Sequence, residues 1–468
     1  MANATETIDV DDPYHLTPEG IQDPPAGWRA SLRFFGPGLV LSAALVGAGE
    51  LIATTSLGAE AGFALLWLVI VSTSVKVALQ VELARWTISS GEPALTGFNK
   101  VPPHIGRIGW VNLLWIVLAL VKIVQTGGLV GGVAAACSIL IPLGSAPLGF
   151  TSLAIWTVIV TAVTIGLLYS NRYGLIERGA ALLVVVFVLL TLVIAIGLPF
   201  TPLGYGVDDL AGGLAFRIPA GSLGIALAMF GLTGVGAEEI TAYSYWCLEK
   251  GYARWSGPPD GSDAWIQRAT GWITVMYKDA AFSWAIYTAG TLAFYAMGAA
   301  VLHPLGVAPE GNDMITTLSR IYTDTLGEWA GTLFLISAIA VLGSTLWAAL
   351  PAWTRFSTNA LALLGVLEWT NTRRRMAWIR FFTVAFPITW AAAYLLISAP
   401  VFMVTIGGIA GGGFLLAIVV AVWYLRSNET DPRLRGGYPF HVFLMLSSIA
   451  IILVGIYALL DASGVAVT

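Results

Sequence analysis

The sequence has little charge for its length. Aspartate, glutamate, lysine and arginine make up 11% of its 468 residues, against roughly 25% in an ordinary soluble domain. With 57% hydrophobic residues, that excludes an assembly of soluble domains and indicates a polytopic membrane protein. No basic patch is interleaved with aromatic residues, so nucleic acid is excluded as a partner and the lipid bilayer is the expected one. The only two cysteines, Cys137 and Cys247, give neither a disulfide framework nor a CxxC site. The four histidines, His15, His104, His303 and His441, lie outside the long apolar runs or at their edges. A mid-membrane imidazole site for zinc or haem is therefore excluded, and no cofactor is expected. HExxH, a Ser/His pairing at depth and a nucleotide loop are all missing, which argues against an enzyme. Residues 1–27 are polar and acidic without a basic n-region. They read as a disordered or loosely attached tail, not a cleaved signal peptide.

Apolar runs of spanning length fall at about 36–58, 63–89, 108–141, 150–170, 179–199, 221–247, 279–302, 328–356, 377–397, 399–425 and 439–460, eleven segments in all. The third is long enough to include an interfacial turn, and the ninth and tenth are joined closely around Pro400. Of the 23 lysines and arginines, nineteen fall in loops and ends on the N-terminal side of this layout. Two, Arg217 and Arg320, fall on the opposite side, and two, Lys76 and Lys122, lie inside segments. This positive-inside bias predicts an inner-membrane (cell-membrane) protein with a cytoplasmic N-terminus and an external C-terminus. Residues 263–276 could form an interfacial helix, an ordinary linker being the alternative. The loop 303–327 is expected to be solvated. Glu82 and Arg85 have the spacing of an i,i+3 pair.

Within the first segment stands Val46-Gly47-Ala48-Gly49-Glu50-Leu51. A lone carboxylate at mid-bilayer depth costs roughly 2.5–3.5 kcal/mol on the mildest scale, and the glycines weaken the helix beside it. A similar string, Val235-Gly236-Ala237-Glu238-Glu239-Ile240, recurs in the sixth segment. Segments one and six are five apart and so cross in opposite senses. This is the arrangement of a 5+5 inverted repeat whose first helices are broken at the midplane. The expected organisation is a polar cytoplasmic tail over 1–30 and a first repeat, helices 1–5, over 31–200. A second repeat, helices 6–10, covers 201–425, and helix 11 with an external C-terminus covers 426–468.

The run Phe35-Gly36-Pro37-Gly38-Leu39-Val40-Leu41-Ser42 resembles the opening of the first helix of Nramp divalent-metal transporters. So does Gly58-Ala59-Glu60-Ala61-Gly62-Phe63-Ala64-Leu65-Leu66-Trp67 after it. The resemblance is best over residues 30–95. It implies an all-α membrane protein of the LeuT type and transport of Mn²⁺ or Fe²⁺, usually with protons. The family's metal ligands do not carry over. Its Asp-Pro-Gly-Asn motif falls on Gly47-Ala48-Gly49-Glu50, and its Met-Pro-His motif falls on about Val235-Gly236-Ala237. The chain therefore resembles a divergent, Nramp-related branch without the usual transition-metal site.

The site chemistry follows from what remains. Carboxylates, carbonyls and hydroxyls suit hard ions such as Mg²⁺, Ca²⁺ or Mn²⁺. The expected substrate-binding residues are Gly47, Ala48, Gly49, Glu50, Val235, Gly236, Ala237, Glu238 and Glu239, with Glu50, Glu238 and Glu239 as candidate metal ligands. Lys76, Lys122 and Gln125 are the candidate coupling or charge-compensating residues. A lysine could be an outer strut, a built-in cation or a proton carrier, and snorkelling to the interface is the alternative. The expected activity is secondary-active transport of a cation, a hard divalent metal, with proton coupling left open. A carrier of a small organic solute such as an amino acid or amine is the alternative. Glycines of segments three and ten are expected to allow close helix packing.

Overall fold

A computed structural model describes residues 12–45, 49–144, 146–169, 188–219 and 223–462. Among these, eight helices are long and apolar enough to cross a membrane. The remainder of the expected eleven has a physical explanation. Segment one is described only on either side of residues 46–48, segment six is interrupted, and segment five is described only over Val188–Phe200. The chain is a multi-pass, mostly helical membrane protein, with a short antiparallel hairpin of His104–Ile105 and Ile108–Gly109.

Segment one is a helix over Pro37–Leu45, a π-helical turn over Gly49–Thr54 and a helix over Thr55–Ala61. A π-turn widens the helix by one residue per turn and is common at functional positions. Segment six runs as Leu223–Leu232, leaves the helix, and resumes over Ala237–Lys250. The break is set by Gly234, whose φ of +60° is left-handed and suits glycine. Segment two, Leu66–Ser90, and segment seven, Asp263–Met297, pack against these broken helices, and segment eight, Trp329–Leu363, packs against the first half of segment one. Segment three is one unbroken helix over Trp110–Leu140, so no interfacial turn interrupts it. It lies along segment ten, Pro400–Asn428, and segment nine, Thr372–Ile397.

The close packing expected of the glycines is present. A Cβ on Gly231 of segment six would fall 1.9 Å from the Gly408 carbonyl of segment ten, so the two backbones touch there. Gly407 makes room for the Gln125 side chain, and Gly411 lies beside that of Lys122.

Three sequence expectations are corrected. Residues 12–27 are not loose but packed on the arginine-rich end of the bundle, and residues 1–11 lie outside the described residues. Asp12 binds Arg375 at 2.5 Å, the Tyr14 hydroxyl donates to Glu249 at 2.8 Å, and the Gln22 amide donates to the Trp255 carbonyl. Charged helix ends supplied partners that a count of polar residues does not reveal. Residues 263–276 are not a separate interfacial helix. Ser262 caps the Trp265 amide, and the helix continues without a break into segment seven. The loop 303–327 contains a helix, Met314–Leu326, with Ile315, Leu318, Ile321 and Tyr322 buried along one face.

Candidate functional site

The π-turn of segment one meets the break of segment six in the interior, and the acids beside them are handled in different ways. Glu50 is fully buried. Its carboxylate accepts from the Thr54 hydroxyl at 2.5 Å and from the Gly234 amide at 3.2 Å. The second of these bonds joins the π-turn of segment one to the left-handed glycine of segment six. Burying a carboxylate is costly unless such donors replace water.

Glu238 and Glu239 start the second half of segment six, where unpaired amides and the helix dipole favour negative charge. Both line a cavity of 40 Å³ between Val40 and Leu41 of segment one, Ala242 and Trp246 of segment six, and Thr345, Trp353 and Phe356 of segment eight. That is room for a few water molecules. The Glu239 carboxylate folds back over Gly236, whose missing Cβ would lie 2.6 Å from it. Glu238 faces Lys122 of segment three at 3.5 Å.

The lysines do not snorkel. Lys76 is fully buried, and its ammonium donates to the carbonyl of Phe230 at 2.7 Å and to that of Thr233. Lys122 is buried beside Gly411 and paired with Glu238. Gln125 is buried against Gly407. It packs segment three onto segment ten and is not among the residues lining the acid cavity.

The sequence-predicted set is therefore divided. Gly49, Glu50, Val235, Gly236, Ala237, Glu238 and Glu239 all lie at or beside the breaks, while Gly47 and Ala48 lie outside the described residues. The expected three-acid metal set of Glu50, Glu238 and Glu239 is not gathered into one cage. No group of three metal-ligating side chains of the His, Cys, Asp or Glu type occurs among the described residues. Glu50 is turned to its own donors and does not line the cavity that holds Glu238 and Glu239.

Two groups escaped the sequence reading. Asp279, buried on segment seven, accepts from the Gly36 amide at 3.1 Å, the Gly38 amide at 2.6 Å and the Tyr243 hydroxyl at 2.9 Å. It caps segment one and ties it to segment six. The signal was the Pro37 helix start with no local capping residue. Arg426 joins the expected Glu82–Arg85 pair, with Glu82 at 2.6 Å from Arg85 and 2.8 Å from Arg426.

A multi-pass membrane protein whose sixth segment is broken in the interior, with a buried acid of the first segment's π-turn bonded to that break, has the LeuT fold. A mutant of the Eremococcus coleocola manganese transporter superposes with a TM-score of 0.51 over 97% of this chain and 100% of that one, at 14% identity. The chain belongs to the natural resistance-associated macrophage protein-like (Nramp) family, whose model matches residues 38–461. An uncharacterized protein of Pasteurella multocida is 25% identical over 75% of this chain and 76% of its own length. The metal transporter Nramp2 of Arabidopsis thaliana is 34% identical, over 18% of this chain and 16% of its own length.

Proposed function

We propose that the protein is a secondary-active transporter that moves a hard divalent cation of the Mg²⁺ or Mn²⁺ kind across the membrane by alternating access. The observation that carries this reading is the pair of carboxylates, Glu238 and Glu239, at a helix start facing a small cavity between segments one, six and eight. Two carboxylates with room for water suit an ion that keeps part of its hydration shell, as Mg²⁺ does. Glu50 serves as an internal strut between the two breaks, and Lys122 balances Glu238 when no cation is present. The membership in a family that includes metal transporters supports the same cargo class.

The N-terminus then lies in the cytoplasm of a cell with this protein in its inner membrane, on the arginine-rich side, and the C-terminus outside. The two halves, 31–200 and 201–425, act as the inverted repeats that rock against each other. Calorimetry with Mg²⁺ and Mn²⁺ tests the cargo. Saturable binding, lost in Glu239→Gln and weakened in Glu238→Gln, is expected. Proteoliposome uptake of Mg²⁺, Mn²⁺ and Ca²⁺ beside an amino-acid mixture tests the class of substrate. Uptake of an amino acid with no divalent binding would replace this reading with the organic-solute one. A pH gradient imposed in the same assay reads proton coupling.

A further inference from the structure

The break in segment six leaves carbonyls at the end of its first half without amide partners, as every helix C-terminus does. The carbonyls of Phe230 and Thr233 are both taken by one group, the ammonium of Lys76. Ser72, one turn before Lys76 on segment two, presents its hydroxyl to the same two carbonyls at 3.2 and 3.4 Å. The Thr233 hydroxyl donates to Ser72 at 2.7 Å. Two carbonyls thus hold one buried ammonium, and two hydroxyls brace those carbonyls. The negative end of the half-helix dipole points the same way. The Phe230 ring lies 5.4 Å from the ammonium.

Carbonyls and hydroxyls at an unwound helix end are the ligands that transporters of this architecture offer to a dehydrated monovalent cation. Here a side chain delivers the charge. We propose that Lys76 is a tethered cation that fills a monovalent-cation site formed by the Phe230 and Thr233 carbonyls, which the Ser72 and Thr233 hydroxyls hold in place. No free sodium ion is then needed at the break. Shortening the lysine empties a site of the right charge and ligand type for sodium. This goes beyond the cargo reading and does not depend on which ion is carried.

The test is thermal unfolding of the purified full-length protein in detergent, with sodium replacing choline at constant ionic strength. The wild-type midpoint should not move. Lys76→Ser should melt lower in choline and recover saturably in sodium. Lys76→Ala should recover likewise with methylammonium, which returns the missing head group. Saturable stabilisation of the wild type by sodium would overturn the proposal. So would folded Lys76→Ser and Lys76→Ala proteins that respond to neither ion. Should neither variant fold, the wild-type arm still decides, because an unfilled cage answers to sodium by itself. Divalent cations are omitted throughout, so failure of the cargo reading leaves this result untouched.

Discussion

The carboxylate of Asp279 accepts the Gly38 amide at 2.6 Å, across the gap between segments seven and one. The same oxygen also receives the Tyr243 hydroxyl. One buried acid therefore fixes the start of segment one and the second half of segment six. Asp279→Asn keeps the size but turns one acceptor into a donor facing a donor. Leaving such a buried group unmatched costs about 1–3 kcal/mol. The melting temperature should fall accordingly, and Tyr243→Phe, which removes a single bond, should cost less.

Lys122 and Glu238 form a pair whose members are unequally buried, at 3% and 17% exposure. Neutralising the lysine alone strands an acid in the bundle. Neutralising both leaves one uncharged amide beside an apolar side chain. Lys122→Met should destabilise by about 1–3 kcal/mol, less than a fully buried pair would show because Glu238 keeps some water. The double variant with Glu238→Gln should recover part of that loss. A double-mutant cycle with no coupling would show that the contact has no energetic weight.

What could be read from the sequence was the part written in costly residues. Glycines beside intramembrane acids, at Gly49-Glu50 and Gly236-Ala237-Glu238-Glu239, located both breaks, because little besides function retains such residues there. The partners of those acids could not be read. Lys76 bonding to carbonyls, and Glu50 bonding to the Gly234 amide, involve backbone groups that every sequence has. Asp279 was missed because it sits at the edge of an apolar run, where a charge usually meets the interface. The helix over 314–326 was legible in the spacing of Ile315, Leu318, Ile321 and Tyr322, but three acids at Glu310, Asp313 and Asp324 drew attention to solvent instead.

Gly231 and Gly408 place two backbones in contact beneath the segment-six break. Gly231→Ala would drive a methyl group into a carbonyl that cannot move without its helix. Overpacking of this kind costs typically 1–3 kcal/mol, about the upper figure where backbone must shift. The expected outcome is a lower melting temperature together with a shifted segment ten. Gly413→Ala, on the same helix with open space around it, should be close to neutral and serves as the control.

The tail that closes the arginine-rich end is held by Asp12, which lies outside the membrane-spanning segments. Burial raises its pKa, but the Arg375 guanidinium and the Thr372 hydroxyl outweigh burial and hold it below the ordinary 3.8. A carboxyl depressed on folding contributes its full stability above its unfolded value and loses it as pH falls through the folded one. Tail attachment should therefore be the same at neutral pH and in mild acid, and weaken only below the usual aspartate range. The Gln22 amide, which donates to the Trp255 carbonyl at 3.0 Å, reports on this. Its hydrogen exchange, corrected for the intrinsic rate, should be equally protected in the wild type across that range. In Asp12→Asn the guanidinium of Arg375 faces a neutral group, and exchange at neutral pH should rise on the order of 10-fold as the strap opens locally. Wild-type protection that already fades in mild acid would mean that another group holds the tail.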